Sequence, residues 1–156
     1  MTAMTGRRGP APTKASGNDP LRYIETSALL AAVLERDEEA REALRLDGLR
    51  IASVLTFVEA DRVIVRAAKL GRLTPSGQRT ATRALRAFER RCAIVSITDE
   101  ILARARRPFP VEPVRTLDAI HLATAESLGE PPILLTVVTR DARVARTARA
   151  LGYSVG

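Results

Sequence analysis

Five short apolar runs, separated by helical patterns, constrain this chain more than any other feature. Leu21 to Glu25, Leu49 to Ala52, Ala93 to Ile97, Ile133 to Val138 and Tyr153 to Val155 read as strands. Between them the pattern turns helical over Thr26 to Leu34, Asp37 to Leu46, Ser53 to Leu70, Thr74 to about Arg91, Glu100 to Arg106, Thr116 to Leu128 and Asp141 to Leu151. Asp47-Gly48, Gly71, Gly129 and Gly152 stop helices, while Ser53, Thr74-Pro75 and Thr98-Asp99 start them. Strands divided by helices cannot close as hairpins. They call for an α/β fold with a mostly parallel sheet of four or five strands, covered on both faces.

One domain is expected over residues 21–156, with no repeat and no glycine-rich phosphate loop. Residues 1–20 carry Gly, Pro, Ser, Thr and three basic residues without apolar periodicity, and read as a disordered leader. The leader lacks the apolar stretch of a secretory signal, and no apolar run approaches 18 residues, so a cytoplasmic protein without membrane spans is expected. The net charge of +7 favours an acidic partner such as nucleic acid, and the absence of Trp argues against a base-stacking platform. The single cysteine, Cys92, excludes an internal disulfide and is expected to be a small buried residue.

Within this basic chain, four acids occupy similar settings: Glu25, Glu59, Asp118 and Asp141. Three of them lie where an apolar run gives way to a helix, and in parallel sheets such junctions gather at the carboxyl ends of the strands. Clustered carboxylates there serve to hold divalent cations against a polyanion. Glu25 ends a strand expected to be central, where an unpaired carboxylate must be compensated by a metal or a protonation shift. Asp118 and Asp141 fall in first helical turns, which also favour anions for structural reasons. For the helix after Ser53, the wheel draws an apolar spine through Val54, Val58 and Val65. That leaves Glu59 on the Arg62 and Arg66 side and makes Asp61 the anomalous charge. Ser27 and Thr139 can either cap the chain or orient a carboxylate. Arg115 and Arg140 can contact phosphate or neutralise the acids. His121, the only histidine, is expected to be a packed structural residue.

As a set, the order of acids resembles the PIN-domain family, in particular the VapC-type toxins of bacterial toxin–antitoxin pairs. The resemblance runs from Leu21 to Val155. It is carried by Tyr23-Ile-Glu-Thr-Ser-Ala28, by Leu117-Asp-Ala-Ile-His-Leu-Ala123 and by Thr139-Arg-Asp141. Ser53 with Glu59 six residues on looks like the family's second motif, and that spacing selects Glu59 over Asp61. The resemblance implies a three-layer α/β/α sandwich and a ribonuclease dependent on Mg²⁺ or Mn²⁺. It makes Glu25, Glu59, Asp118 and Asp141 the catalytic and metal-binding residues, with Ser27, Thr139 and Arg115 auxiliary. The partners implied are an RNA substrate and a small cognate antitoxin; the oligomeric state is left open, a homodimer included. Glu25 departs from the aspartate usual in the family. Its extra methylene shifts the carboxylate, so the chain is also read as a catalytically weakened or inactive RNA- or partner-binding module. A basic DNA-associated protein whose acids are surface charges is a third reading.

Overall fold

The computed structural model describes residues 20–156, so of the expected leader all but Pro20 lies outside the described residues. The order is β1 (Leu21–Ile24), α1 (Thr26–Leu34), α2 (Glu38–Arg45), β2 (Leu49–Ser53), α3 (Val54–Lys69), α4 (Pro75–Glu89) and β3 (Ala93–Val95). It continues with α5 (Asp99–Ala105), α6 (Thr116–Ser127), β4 (Leu135–Val138), α7 (Ala142–Ala150) and β5 (Ser154–Val155). The strands form one sheet, β3-β2-β1-β4-β5, and every neighbouring pair is parallel. The parallel sheet and its two helical layers are those the alternating pattern calls for.

Side chains alternate across the sheet with a period of two. Ile24, Ala52 and Val138 face one way and join Leu29, Phe57, Ile64 and Leu85 from α1, α3 and α4. Tyr23, Ile51 and Val137 face the other way and join Leu122 of α6, Val144 of α7 and Tyr153. Each fully buried Leu, Ile or Phe contributes about 1.5–3 kcal/mol, so these two clusters bind the layers together. α5 packs on α6 at the edge of the second layer.

The helix starts follow the caps legible in the sequence. Ser53 accepts from Leu55 N–H at 3.2 Å, Thr74 from Gly77 N–H at 3.0 Å, and Thr98 from Ile101 N–H at 3.3 Å. Gly48 has φ +126°, and a Cβ there would lie 2.2 Å from the carbonyl oxygen of Pro20. The turn into β2 therefore lies against the start of β1, where Leu49 N–H donates to Pro20 O at 2.9 Å.

Four expectations need correction. Ile133 and Leu134 are not strand residues: they lie in an exposed 3-10 turn, Pro132–Leu134. Pro131 and Pro132 offer no N–H to a ladder, so pairing begins at Leu135. β3 ends at Val95, short of Ile97. The buried stripe of α3 is Thr56, Phe57, Ala60 and Ile64, whereas Val54, Val58 and Val65 are exposed. Cys92 is half-buried at the rim of the first core cluster, and burial pushes its thiol up to about 12.

Candidate active site

β1 sits between β2 and β4, so the chain reverses its direction of travel across the sheet between these strands. A parallel sheet opens a crevice at such a point, beyond the carboxyl ends of the strands. Glu25 follows β1 directly, and Thr139 and Asp141 follow β4. β2 runs into α3 without a loop, and Thr56 of α3 donates to Ile24 O at 3.2 Å. That bond holds the first turn of α3, and with it Glu59 one turn on, beside the end of β1.

Glu25 is buried, with 5% of its surface exposed. Its Oε2 accepts from Ser27 N–H at 3.0 Å, from the Ser27 hydroxyl, and from the Thr139 hydroxyl at 2.8 Å. The compensation expected from a metal or a protonation shift is thus supplied by three donors of the chain itself. All three reach Oε2, and no described residue bonds Oε1. The same two hydroxyls accept from the loop after β4. Ser27 Oγ takes Arg140 N–H at 2.8 Å and Asp141 N–H at 3.1 Å, and Thr139 Oγ1 also lies 3.1 Å from Asp141 N. Ser27 and Thr139 therefore tie the carboxylate to both strand ends, so capping and orienting are one arrangement.

Asp141 is the N-cap of α7 rather than a first-turn residue: its Oδ1 accepts from Arg143 N–H at 2.8 Å and Val144 N–H at 3.4 Å. Asp118 lies in the first turn of α6. Its Oδ2 is buried without a hydrogen-bond partner among the described residues. Burial raises its pKa, and the negative charges of Asp141 and Glu25 raise it further, against a weaker pull from Arg115 and His121. Asp118 is thus repelled by both Glu25 and Asp141.

Glu59 shares a neighbour with Glu25: the charges of both are felt at the buried Tyr23 hydroxyl. Glu59 Oε1 accepts from Thr26 Oγ1 at 2.7 Å and from His121 Nε2 at 2.6 Å. Burial works to raise its pKa, but the bonds from His121 and Thr26 outweigh burial and hold it below the ordinary value. Asp61, the acid that the wheel singled out, turns away and pairs with Arg86. Arg140 is engaged by Asp37, 3.3 Å away at the start of α2. Arg115 is exposed, and its charge is felt at Asp118. The residues not read as functional are Tyr23, Thr26 and His121, which form a buried network around Glu59. The legible signal was His121 three positions after Asp118, on the same side of α6.

As the side chains stand, no three of the described His, Cys, Asp and Glu residues converge closely enough to hold an ion. The chemistry of the donors nevertheless fits a hard divalent cation. The four acids offer only oxygen, Asp118 is repelled by two of the others, and its Oδ2 is buried without a partner among the described residues.

The sequence pattern of the PIN domain matches residues 22–150. The chain belongs to the PIN-domain family. Ribonuclease VapC35 of Mycobacterium tuberculosis (strain CDC 1551 / Oshkosh) is 35% identical over 137 residues, covering 85% of this chain and 93% of that protein. Ribonuclease VapC46 of Mycobacterium tuberculosis (strain ATCC 25618 / H37Rv) is 33% identical over 135 residues, covering 85% and 94%. A chain of a toxin–antitoxin complex from Klebsiella pneumoniae superposes with a TM-score of 0.55 at 23% identity, covering 80% of this chain and 89% of its own. The relatives place the chain in the VapC branch of the PIN family, and the superposition shows the same fold. No helix among the described residues is long and apolar enough to cross a membrane.

Proposed function

We propose that this PIN-domain chain is a divalent-metal-dependent ribonuclease, the toxin of a toxin–antitoxin pair, acting in the cytoplasm. The observation that carries the reading is Asp118 Oδ2, buried without a partner beside two like charges. A fold that buries a carboxylate oxygen without a partner and beside like charges bears a cost that a cation offsets. Asp118, Asp141, the free Oε1 of Glu25 and Glu59 are the groups that would hold Mg²⁺ or Mn²⁺. Bound there, the ion would supply Lewis acidity for phosphodiester hydrolysis, activating the attacking water and stabilising the leaving oxygen.

The chain's own residues set up the rest. Ser27 and Thr139 aim Glu25 by donating to Oε2. Arg115, exposed beside Asp118, is placed to meet a phosphate. α7, capped by Asp141, shows Arg143, Arg146 and Arg149 on its exposed side, and none of the ion pairs among the described residues uses them. Such a row suits an RNA backbone. A cavity of about 520 Å³ lies between the end of α1 and α4, lined by Val33, Leu34, Leu73 and Ala81 with Arg36 and Arg41. That mixture supports an antitoxin segment with apolar anchors and acidic flanks.

A second reading, a weakened or inactive binding module, is favoured by Glu25. The bonds to Oε2 draw this longer side chain toward Ser27 and Thr139, and no three acids among the described residues converge closely enough to hold an ion. One experiment separates the readings. Purified parent protein is incubated with structured and single-stranded RNA, with Mg²⁺, with Mn²⁺ and with chelator, beside Asp118→Asn. Cleavage that needs the ion and is lost in the variant supports the enzyme. RNA binding without cleavage under every condition supports the module.

A further inference from the structure

We propose that His121 is a positioning residue: its imidazole, braced at Nδ1 by Tyr23 and donating from Nε2, fixes the carboxylate of Glu59. The inference rests on the ribonuclease reading for its effect on rate, but its geometry stands alone. His121 is 1% exposed and is gripped from two layers. Its Nδ1 lies 2.9 Å from the Tyr23 hydroxyl on the central strand, with the two rings edge to face at 6.1 Å. Its Nε2 lies 2.6 Å from Glu59 Oε1 and 3.1 Å from Thr26 Oγ1.

An ionised carboxylate can only accept, so the proton between the ring and Glu59 resides on Nε2. In a neutral ring Nδ1 is then the acceptor, and it takes the phenolic proton of Tyr23. Thr26 donates its own hydroxyl to the same oxygen of Glu59 at 2.7 Å. Two donors therefore converge on Oε1, which stops a long side chain on α3 from sampling its rotamers. Oε2 is left to face other ligands. A buried imidazole N–H needs an acceptor, and here that acceptor is a carboxylate at the edge of the site, an arrangement by which hydrogen-bonded partners commonly orient the acids that hold an ion.

The test uses the full chain without a histidine tag, so that the one histidine gives the only imidazole signals. Nitrogen-15 NMR of the ring should show the Nε2–H tautomer in the parent. An Nδ1–H ring in the parent overturns the proposal. In kinetics, His121→Leu should lower kcat by about tenfold or more with KM within about twofold, and His121→Gln, whose amide can still donate to Glu59, should recover most of the rate. In a Glu59→Gln background, His121→Gln and His121→Leu should cost nothing further. Additive losses, or no rescue by glutamine when that variant melts like the parent, would show that His121 only fills space. If the parent cleaves no RNA, the ribonuclease reading fails and the NMR result alone decides the positioning.

Discussion

Glu59 and Asp118 sit on helices packed against opposite faces of the sheet, and the fold treats them in opposite ways. Glu59 receives two hydrogen bonds and ionises more readily than an ordinary glutamate. Asp118 has an oxygen buried without a partner and resists ionisation. Both are partly buried, so burial alone does not divide them. The difference lies in what surrounds each: a histidine and a threonine for one, two like charges for the other. An acid wired to donors is a finished part of the structure. An acid left facing carboxylates bears an unrelieved cost, and on the proposed reading a cation offsets it.

The largest effect should come from removing the unfinished acid. Asp118→Asn is expected to lower RNA cleavage on the order of a hundredfold, since a misplaced reacting centre costs about that much. The metal-free variant should nevertheless melt above the parent, by about 1 kcal/mol, because a repelled and unpaired carboxylate is gone. Mn²⁺ should raise the melting temperature of the parent with concentration, approaching about 2.7 kcal/mol at a hundred times its dissociation constant, and barely move the variant. An Asp118→Asn protein that melts below the parent would break the contrast.

Glu25 extends the comparison, because it is satisfied on one oxygen and open on the other. Glu25→Asp restores the residue usual in the family, so cleavage should rise severalfold. Shortening the side chain withdraws the carboxylate from Thr139, at about 1 kcal/mol of stability. Denaturant unfolding and a cleavage assay on one preparation measure both. If cleavage falls along with stability, the bonds from Ser27 and Thr139 matter more than the reach toward an ion.

How far the site was legible follows from the same residues. Glu25 and Asp141 adjoin strand ends, and the flanking signals (Ser53, Thr74-Pro75, Gly129, Pro131-Pro132) are local, so element order and sheet class could be read directly. The buried face of α3 could not. Val54, Val58 and Val65 form an apolar row as good as Phe57, Ala60 and Ile64, and only the neighbouring sheet and α4 decide which row is covered. Local pattern likewise favoured Asp61 as the odd charge, because Arg86 lies 25 positions away. The Glu59–His121 contact spans 62 positions, and no periodicity encodes it. The donors to Glu25 escape local pattern for a similar reason: one of them, Thr139, is 114 residues distant.

Acid titration should separate the two acids by sign. Glu59 has a folded pKa below its ordinary 4.5, so its stabilising contribution is fully present above that value and is lost as pH falls through the lower folded one. Asp118 has a folded pKa above its ordinary 3.8. Its penalty is fully present at neutral pH and is relieved as pH falls through the raised value. In metal-free protein, Glu59→Gln should therefore flatten the acid limb of a stability profile, and Asp118→Asn should flatten the limb just above it. Profiles that change in the same direction for both variants would erase the distinction.

The smallest effect is expected at Asp61, the acid that shares α3 with Glu59. Its partner Arg86 also meets Glu89 at 2.6 Å, and the side chains of Asp61 and Arg86 are about two-fifths exposed, at 37% and 41%. Pairs this open are screened by solvent and contribute about 0–1 kcal/mol. In Asp61→Asn, Glu89 still holds Arg86, so the melting temperature should move little and cleavage should match the parent. Glu59→Gln, two positions earlier, should lose most of its cleavage, because its amide cannot accept at both oxygens. Two acids on one helix then differ through orientation alone: one turns toward His121 and the strand ends, the other toward α4. Equal losses at both positions would show that the charge of α3 as a whole, rather than the placement of one carboxylate, supports the site.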